Sequence, residues 1–307
     1  MTIKLDEVFY WLFNMSIVAS LSGLIVLLIR CVKRIPRRAF SVLWIVPFLR
    51  MWIPVGIGSS YGLMSLISRF TTRTVVLYDS VEDATLSMTN FIMAANSYSP
   101  ITYKVNLLEN VFRVASAIWI IVFIALLITF TIIYAITQNE LRDSQHFQDN
   151  IYISDKITSP AVYGIIRPKI ILPVGYENRD ITFLLLHENA HISRRDNLRR
   201  VIAFLTASLH WFNPLTWVFL KRFLADLELS CDEKVLAKCG ENQKKEYALS
   251  LLGEAEHKSV FASAFGGAKI RVRVHNILSY KKLSLISIVG MLFIIASIMY
   301  ALLTNAA

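Results

Sequence analysis

LLLHENAHISRRD, residues 184–196, is the stretch from which the rest of the chain is read. On an α-helix, residues four apart share a face, so His187 and His191 present two imidazoles side by side. Two imidazoles at that spacing grip a single metal ion, and Zn²⁺ is the usual occupant. Glu188, next to the first histidine, reaches a water held at such an ion and acts as its base. A chance match on an ordinary helix is the competing reading, and the flanking residues decide between them.

Downstream lies ADLELSCDEKVLAKCG, residues 225–240, a helical pattern closed by Gly240. Glu228 and Asp232 are four apart and face the same way. A catalytic zinc held by two histidines needs one more protein ligand and one open position. Glu228, 37 residues after His191, is the expected third ligand. Asp232 is then placed to hydrogen-bond a ligand imidazole and fix its orientation. Glu233 reads as solvent-exposed, and Cys231 as a small buried residue whose thiol the metal does not need.

Between the two motifs, residues 201–224 (VIAFLTASLHWFNPLTWVFLKRFL) are apolar, and Asn213-Pro214 breaks them in the middle. Neither half has spanning length. The expectation is two interfacial or membrane-dipping helices, with Arg194, Arg195, Arg199 and Arg200 on one side and Lys221 and Arg222 on the other facing anionic headgroups. A buried hairpin is the alternative, and His210 reads as a packed, hydrogen-bonded histidine. Upstream, β-branched runs at 150–154 and 169–172 flank SPAVYGIIRP, predicting a small antiparallel sheet. An exposed edge of that sheet would hold an extended peptide by main-chain pairing, or merely support the helix. Asp180 is the expected helix N-cap.

Further out, the chain reads as a membrane protein. Of 307 residues, 55% are hydrophobic, and the mean hydropathy of +0.52 is too high for an ordinary soluble domain. Val8–Ile29 and residues 114–137 are uncharged runs of spanning length, as is 283–307. A fourth, interrupted by Pro47, Arg50, Pro54 and several glycines, runs from about 39 to 68; Arg50 there is expected to snorkel or pair within the bundle. Arg30, Lys33, Arg34, Arg37 and Arg38 follow the first run and mark the cytoplasmic side. The predicted organisation is two spans with a basic cytoplasmic loop (1–68), an extracellular loop (69–113), span three (114–137), a cytoplasmic α+β zinc domain (138–282) and span four (283–307). The net charge of +10 fits cytoplasmic loops, and no zinc-finger, basic-zipper or RNA-binding signature points to direct nucleic-acid binding. Three cysteines without CxxC spacing argue against a disulfide framework.

With these motifs in hand, the chain resembles the membrane metallopeptidases of the BlaR/MecR antirepressor type. SPAVYGIIRPKIILP, LLLHENAHISRRD, HWFNPLTW and ELSCDEKVL stand in the order and spacing of that family. The resemblance implies a gluzincin site with His187, His191 and Glu228 on zinc, Glu188 as general base and Asp232 behind a ligand imidazole. Receptors of this type carry a C-terminal penicillin-binding sensor domain. Its SxxK, SDN and KTG set is not found here, so beta-lactam sensing by this chain is not expected. The resemblance also points to a cytoplasmic protein as substrate, a transcriptional repressor or the peptidase itself, with Phe261 and Phe265 in the Gly-rich stretch 259–268 as weak self-cleavage neighbours. The expected function is signal transduction by proteolysis at the membrane. The alternative is a non-catalytic transducer or scaffold with a structural zinc site, against which Glu188 argues, since a structural site needs no base.

Overall fold

A computed structural model describes residues 4–32, 35–53, 107–177, 179–240, 242–255, 268–281 and 284–304. Most of the expected extracellular loop, with the TVVLY run at 74–78, and the stretch around Phe261 and Phe265 lie outside these residues.

Among the described residues, three helices are long and apolar enough to cross a membrane: α1 (Leu5–Arg30), α4 (Leu107–Glu140) and the last helix, α10 (Leu285–Leu303). Of the interrupted run expected as a fourth span, the described part forms two short helices, α2 (Arg37–Leu43) and α3 (Ile45–Trp52), and the remainder falls outside. Pro47 sits in the first turn of α3, where no intrahelical N–H partner is lost. Arg50 is buried and caps the end of the last helix, its Nε donating to the Leu302 carbonyl at 2.6 Å and its Nη2 to Thr304 at 2.7 Å.

After α4 come strands β1 (Gln145–Gln148), β2 (Ile151–Ser154), β3 (Ala161–Tyr163) and β4 (Lys169–Pro173) in the order β1-β2-β4-β3. The sheet is mixed, not antiparallel as expected: β1/β2 and β3/β4 are antiparallel, while β2 and β4 run parallel. The β3–β4 connection needs Gly164, with φ at +91° and only 2.7 Å between a would-be Cβ and the Arg167 carbonyl oxygen. Ile170 and Leu172 of β4, with Ile151, bury the sheet against Leu184, Leu185 and Ile192.

Those residues lie on α5 (Thr182–Arg194), which carries the HENAH motif. Ile181, not Asp180, stands at the N-cap position; Asp180, one residue earlier than expected, still accepts from the Thr182 N–H at 3.0 Å. Arg195 then adopts a left-handed conformation, φ +53°, and the chain turns into α6 (Asp196–Leu209). Asn213 ends the following turn: its side chain accepts from the Leu215 N–H, and Pro214 opens α7 (Pro214–Cys239). The Asn-Pro pair therefore breaks the apolar run by starting a helix. Gly240, φ +86°, ends α7. Helices α8 (Lys244–Ala255) and α9 (Ile270–Ser279) close over α5 and α7 through Ala190, Val235, Tyr247 and Ile277.

Glu233 departs from its expected exposure. It is buried, and its carboxylate accepts from the backbone N–H groups of Arg37 and Arg38 at 2.9 and 3.1 Å. It thereby satisfies orphan donors at the start of α2 and joins the basic loop to α7.

Candidate metal centre

Helix periodicity brings the two histidines together: the rings stand 4.8 Å apart at 89°, with Nε2 atoms 3.2 Å from one another. Helix α7 crosses α5 and supplies Glu228, whose carboxylate oxygens lie 3.6 Å from His187 Nε2 and 3.7 Å from His191 Nε2. Ligands about 2.0–2.2 Å from a tetrahedral zinc ion stand roughly 3.3–3.5 Å from one another. The three donors thus converge at the spacing zinc requires, and the chemistry of the set fits it.

The far nitrogens are held as well. His191 Nδ1 is 2.8 Å from Asp196 Oδ2, and Asp196 is fully buried. The left-handed Arg195 turns the chain so that the first residue of α6 faces back onto the motif helix. His187 Nδ1 meets the Tyr247 hydroxyl at 3.0 Å, and that hydroxyl donates to Asp232 Oδ1 at 2.7 Å. Asp232 itself is 3.4 Å from the same Nδ1, so it lies behind His187 as expected, assisted by a tyrosine. Carboxylates behind the rings favour protons on Nδ1 and turn the Nε2 lone pairs towards the common centre. Cys231 Sγ touches His191 Nδ1 at 3.2 Å and Asp196 at 3.3 Å, on the far side of the ring from Nε2.

Carboxylates and guanidinium groups crowd the centre. Burial alone would lower the His191 pKa, but the charge of Glu228 and the hydrogen bond to Asp196 raise it well above the ordinary value. For Glu228, burial pushes the carboxyl up, and the charge of His191 with hydrogen bonds from both histidines holds it well below the carboxylate range. Arg200 also donates to Glu228, at 2.5 Å. Asp232 is pulled far down, against its burial, by Arg273, which clasps it through Nε at 2.9 Å and Nη2 at 2.7 Å. The same guanidinium passes 3.2 Å from His187 Nε2.

Glu188 is buried beside the histidines and lines, with them, a cleft of about 160 Å³. The opposite wall is Pro160, Ala161 and Val162, leading into and along the edge strand β3. Asn197, next to Asp196, donates from Nδ2 to the carbonyls of Val162 at 3.1 Å and Gly164 at 2.9 Å, tying that strand to the start of α6.

All five sequence-predicted site residues, His187, Glu188, His191, Glu228 and Asp232, therefore fall in one place. Asp196, Asn197, Tyr247 and Arg273 were not anticipated. Asp196 ends the quoted motif and its acidic character was the one available signal. Tyr247 and Arg273 come from remote helices without a local pattern. His210 stands apart, fully buried with Nε2 3.2 Å from the Met51 carbonyl, as a packed histidine.

A family model described as BlaR1 peptidase M56 matches residues 10–279. The chain is 40% identical over 86 residues to the regulatory protein BlaR1 of Bacillus licheniformis, covering 27% of this chain and 14% of that protein. It is 24% identical over 234 residues to the methicillin resistance mecR1 protein of Staphylococcus aureus, covering 66% and 40%. With the regulatory protein BlaR1 of Staphylococcus aureus it shares 26% over 163 residues, covering 47% and 28%. The chain spans less than half the length of these curated relatives.

Proposed function

The chain belongs to the BlaR1 peptidase M56 family, and from that premise we propose that it is an integral-membrane zinc endopeptidase whose active site faces the cytoplasm. The observation that carries this reading is the convergence of His187, His191 and Glu228 at zinc spacing with the buried Glu188 alongside, at the floor of a cleft. His187, His191 and Glu228 hold the ion, and Asp196, Tyr247 and Asp232 hold the imidazoles. Zinc bound there supplies Lewis acidity towards the scissile carbonyl and the attacking water. Glu188 takes the proton from that water and delivers it to the leaving amine nitrogen.

An extended peptide is held beside β3, which is an edge strand and lines the cleft. Because Asn197 already engages the carbonyls of Val162 and Gly164, pairing is expected at the Pro160 end. The cytoplasmic placement is supported by the basic residues Arg30, Arg37 and Arg38 that follow the first span. The substrate class follows from the family resemblance: a cytoplasmic protein, such as a repressor, or the chain itself, cleaved to relay a signal.

Glu188→Gln tests the mechanism. It should retain zinc while cleavage of cytoplasmic targets falls by about 10²–10⁴-fold. Equal processing by wild type and variant, both zinc-loaded, would leave the non-catalytic transducer as the better reading. Labelling of a cysteine near His187 by an impermeant reagent outside intact cells would invert the topology.

A further inference from the structure

Helices α1 and α7 run side by side in one direction and in constant register. Asn213 Nδ2 donates to the hydroxyls of Ser16 and Ser20, each at 2.7 Å. Phe219 lies on Gly23, where an added Cβ would fall 2.3 Å from the ring. Asp226 accepts from Arg30 Nε at 2.9 Å and from the Trp44 indole at 2.9 Å. Arg30 is the last residue of a spanning helix. Measured back from Asp226, the start of α7 is twelve residues away, or about 18 Å at 1.5 Å per residue. The hydrocarbon core of a bilayer is about 30 Å thick.

The turn between α6 and α7 reaches still further along α1. Phe212 meets Phe9 edge-on at 5.4 Å and stacks on Phe13 at 5.9 Å, in the half of α1 remote from Arg30. The Trp119 indole, in the second of the spanning helices, donates to the Leu209 carbonyl at 2.8 Å, and Trp211 donates to the Trp119 carbonyl at 3.3 Å. Between Arg200 and Lys221 there is no Asp, Glu, Lys or Arg. Charges stand at the two open ends of the hairpin and not at its tip, as two arms entering from the same side require.

Irregular backbone at membrane depth is tolerated only where protein satisfies it. Here the His210 N–H bonds to Thr206, the Asn213 N–H to the His210 carbonyl, the Leu215 N–H to Asn213 Oδ1, and the Trp217 indole to the Trp211 carbonyl. The outward side chains of the arms are apolar: Ile202 on α6 is 47% exposed and Val218 on α7 is 42% exposed. Ile17, Leu21 and Leu24 of α1, the spanning helix along which α7 packs, are exposed as well.

We propose that α6 and α7 form a re-entrant hairpin: it enters from the side that carries the metal centre, turns at residues 210–213 in the half of the bilayer remote from Arg30, and presents Ile202 and Val218 to lipid acyl chains. Lipid is the occupant because the hairpin packs along a spanning helix, both expose apolar side chains, and the charges of the hairpin sit at its open ends, where headgroups lie. The hairpin is independent of turnover, so its test stands whether or not the chain proves to be a peptidase.

The test uses the full chain in phosphatidylcholine–phosphatidylglycerol vesicles, with Cys31 and Cys239 replaced by serine and Cys231 left in its buried position. Nitroxides are attached at Ile202→Cys, Val218→Cys and, as a water-facing control, Lys238→Cys. Far-UV circular dichroism and a cooperative thermal transition report that each variant is folded. Collisional relaxation should favour oxygen over a water-soluble nickel chelate at 202 and 218, and reverse at 238. Preference for nickel at 202 or 218 would place the hairpin in water and overturn the proposal. Protection from both reagents would replace lipid with protein, a second copy included, and overturn it equally. The two positions lie on separate helices, and either one suffices.

Discussion

Asp196→Asn should weaken zinc binding without unfolding the chain. Asp196 is fully buried, and its Oδ2 lies 2.8 Å from His191 Nδ1. Burial would raise its pKa, but that hydrogen bond and the charge of Arg194 hold it below the ordinary value and favour the ionised state. A hydrogen bond to a charged partner contributes about 1.5–3 kcal/mol. Asparagine keeps the shape and an acceptor oxygen but not the charge that makes the imidazole a strong donor to a metal. Loss of a partner behind a ligand histidine typically costs about 10–100-fold in metal affinity, equivalent to about 1.4–2.7 kcal/mol. Competitive titration against a chromophoric chelator measures this directly, with thermal unfolding in excess chelator separating metal binding from folding. Unchanged zinc affinity in Asp196→Asn would refute the assignment of Asp196 as the group that orients His191. A fall in metal-free stability matching the whole loss of affinity would make its role one of packing alone.

Four further outcomes follow from the same geometry. Glu228→Ala should bind less than one equivalent of zinc, and normal stoichiometry would remove it from the ligand set. Arg273→Met strands the buried Asp232 and should cost about 3–5 kcal/mol in chemical denaturation; adding Asp232→Leu should restore part of it, and strict additivity would show that the two do not act as a pair. The charge of Glu228 and the hydrogen bond to Asp196 raise the His191 pKa in the absence of metal, so zinc binding is expected to release a proton from the ring. Calorimetry in two buffers of different ionisation enthalpy should register that release, with affinity falling as pH drops; identical heats would contradict it. Gly23→Leu drives a side chain into the Phe219 ring and should destabilise by about 1–3 kcal/mol, which Phe219→Ala should relieve.

The candidate metal ligands were legible in the sequence because their chemistry has a short period. His187 and His191 share a helix face by spacing alone, and Glu228 with Asp232 repeats that spacing on the next amphipathic run. The hairpin break was legible at Asn213-Pro214 because that pair acts locally, as was the stop at Gly240. Strand direction was not: β2 and β4 meet across an intervening hairpin, and nothing in either strand specifies a parallel partner. Tyr247 and Arg273 reach His187 over 60 and 86 residues, and such contacts leave no periodic trace. Glu233 was misjudged because a charge on a helix is ordinarily solvated, whereas here it closes the N-terminus of α2. Of the interrupted stretch 39–68, the described residues form two short helices, in keeping with a run read as kinked or broken.

Helix α7 has no proline after its first residue and no glycine before its end. It carries Asn213 at the foot of α1 contacts, Asp226 at Arg30, and Glu228 one half-turn later. A helix is stiff along its axis, so it works as a push-rod. A 1 Å slide of α1 would arrive at Glu228 almost undiminished, while metal–ligand distances tolerate only about 0.2 Å. Strain imposed on the first helix is thus expected to be felt as a looser or tighter grip on the ion, and zinc affinity in Gly23→Leu, which wedges the two rods apart, would register that transmission or show it to be absent.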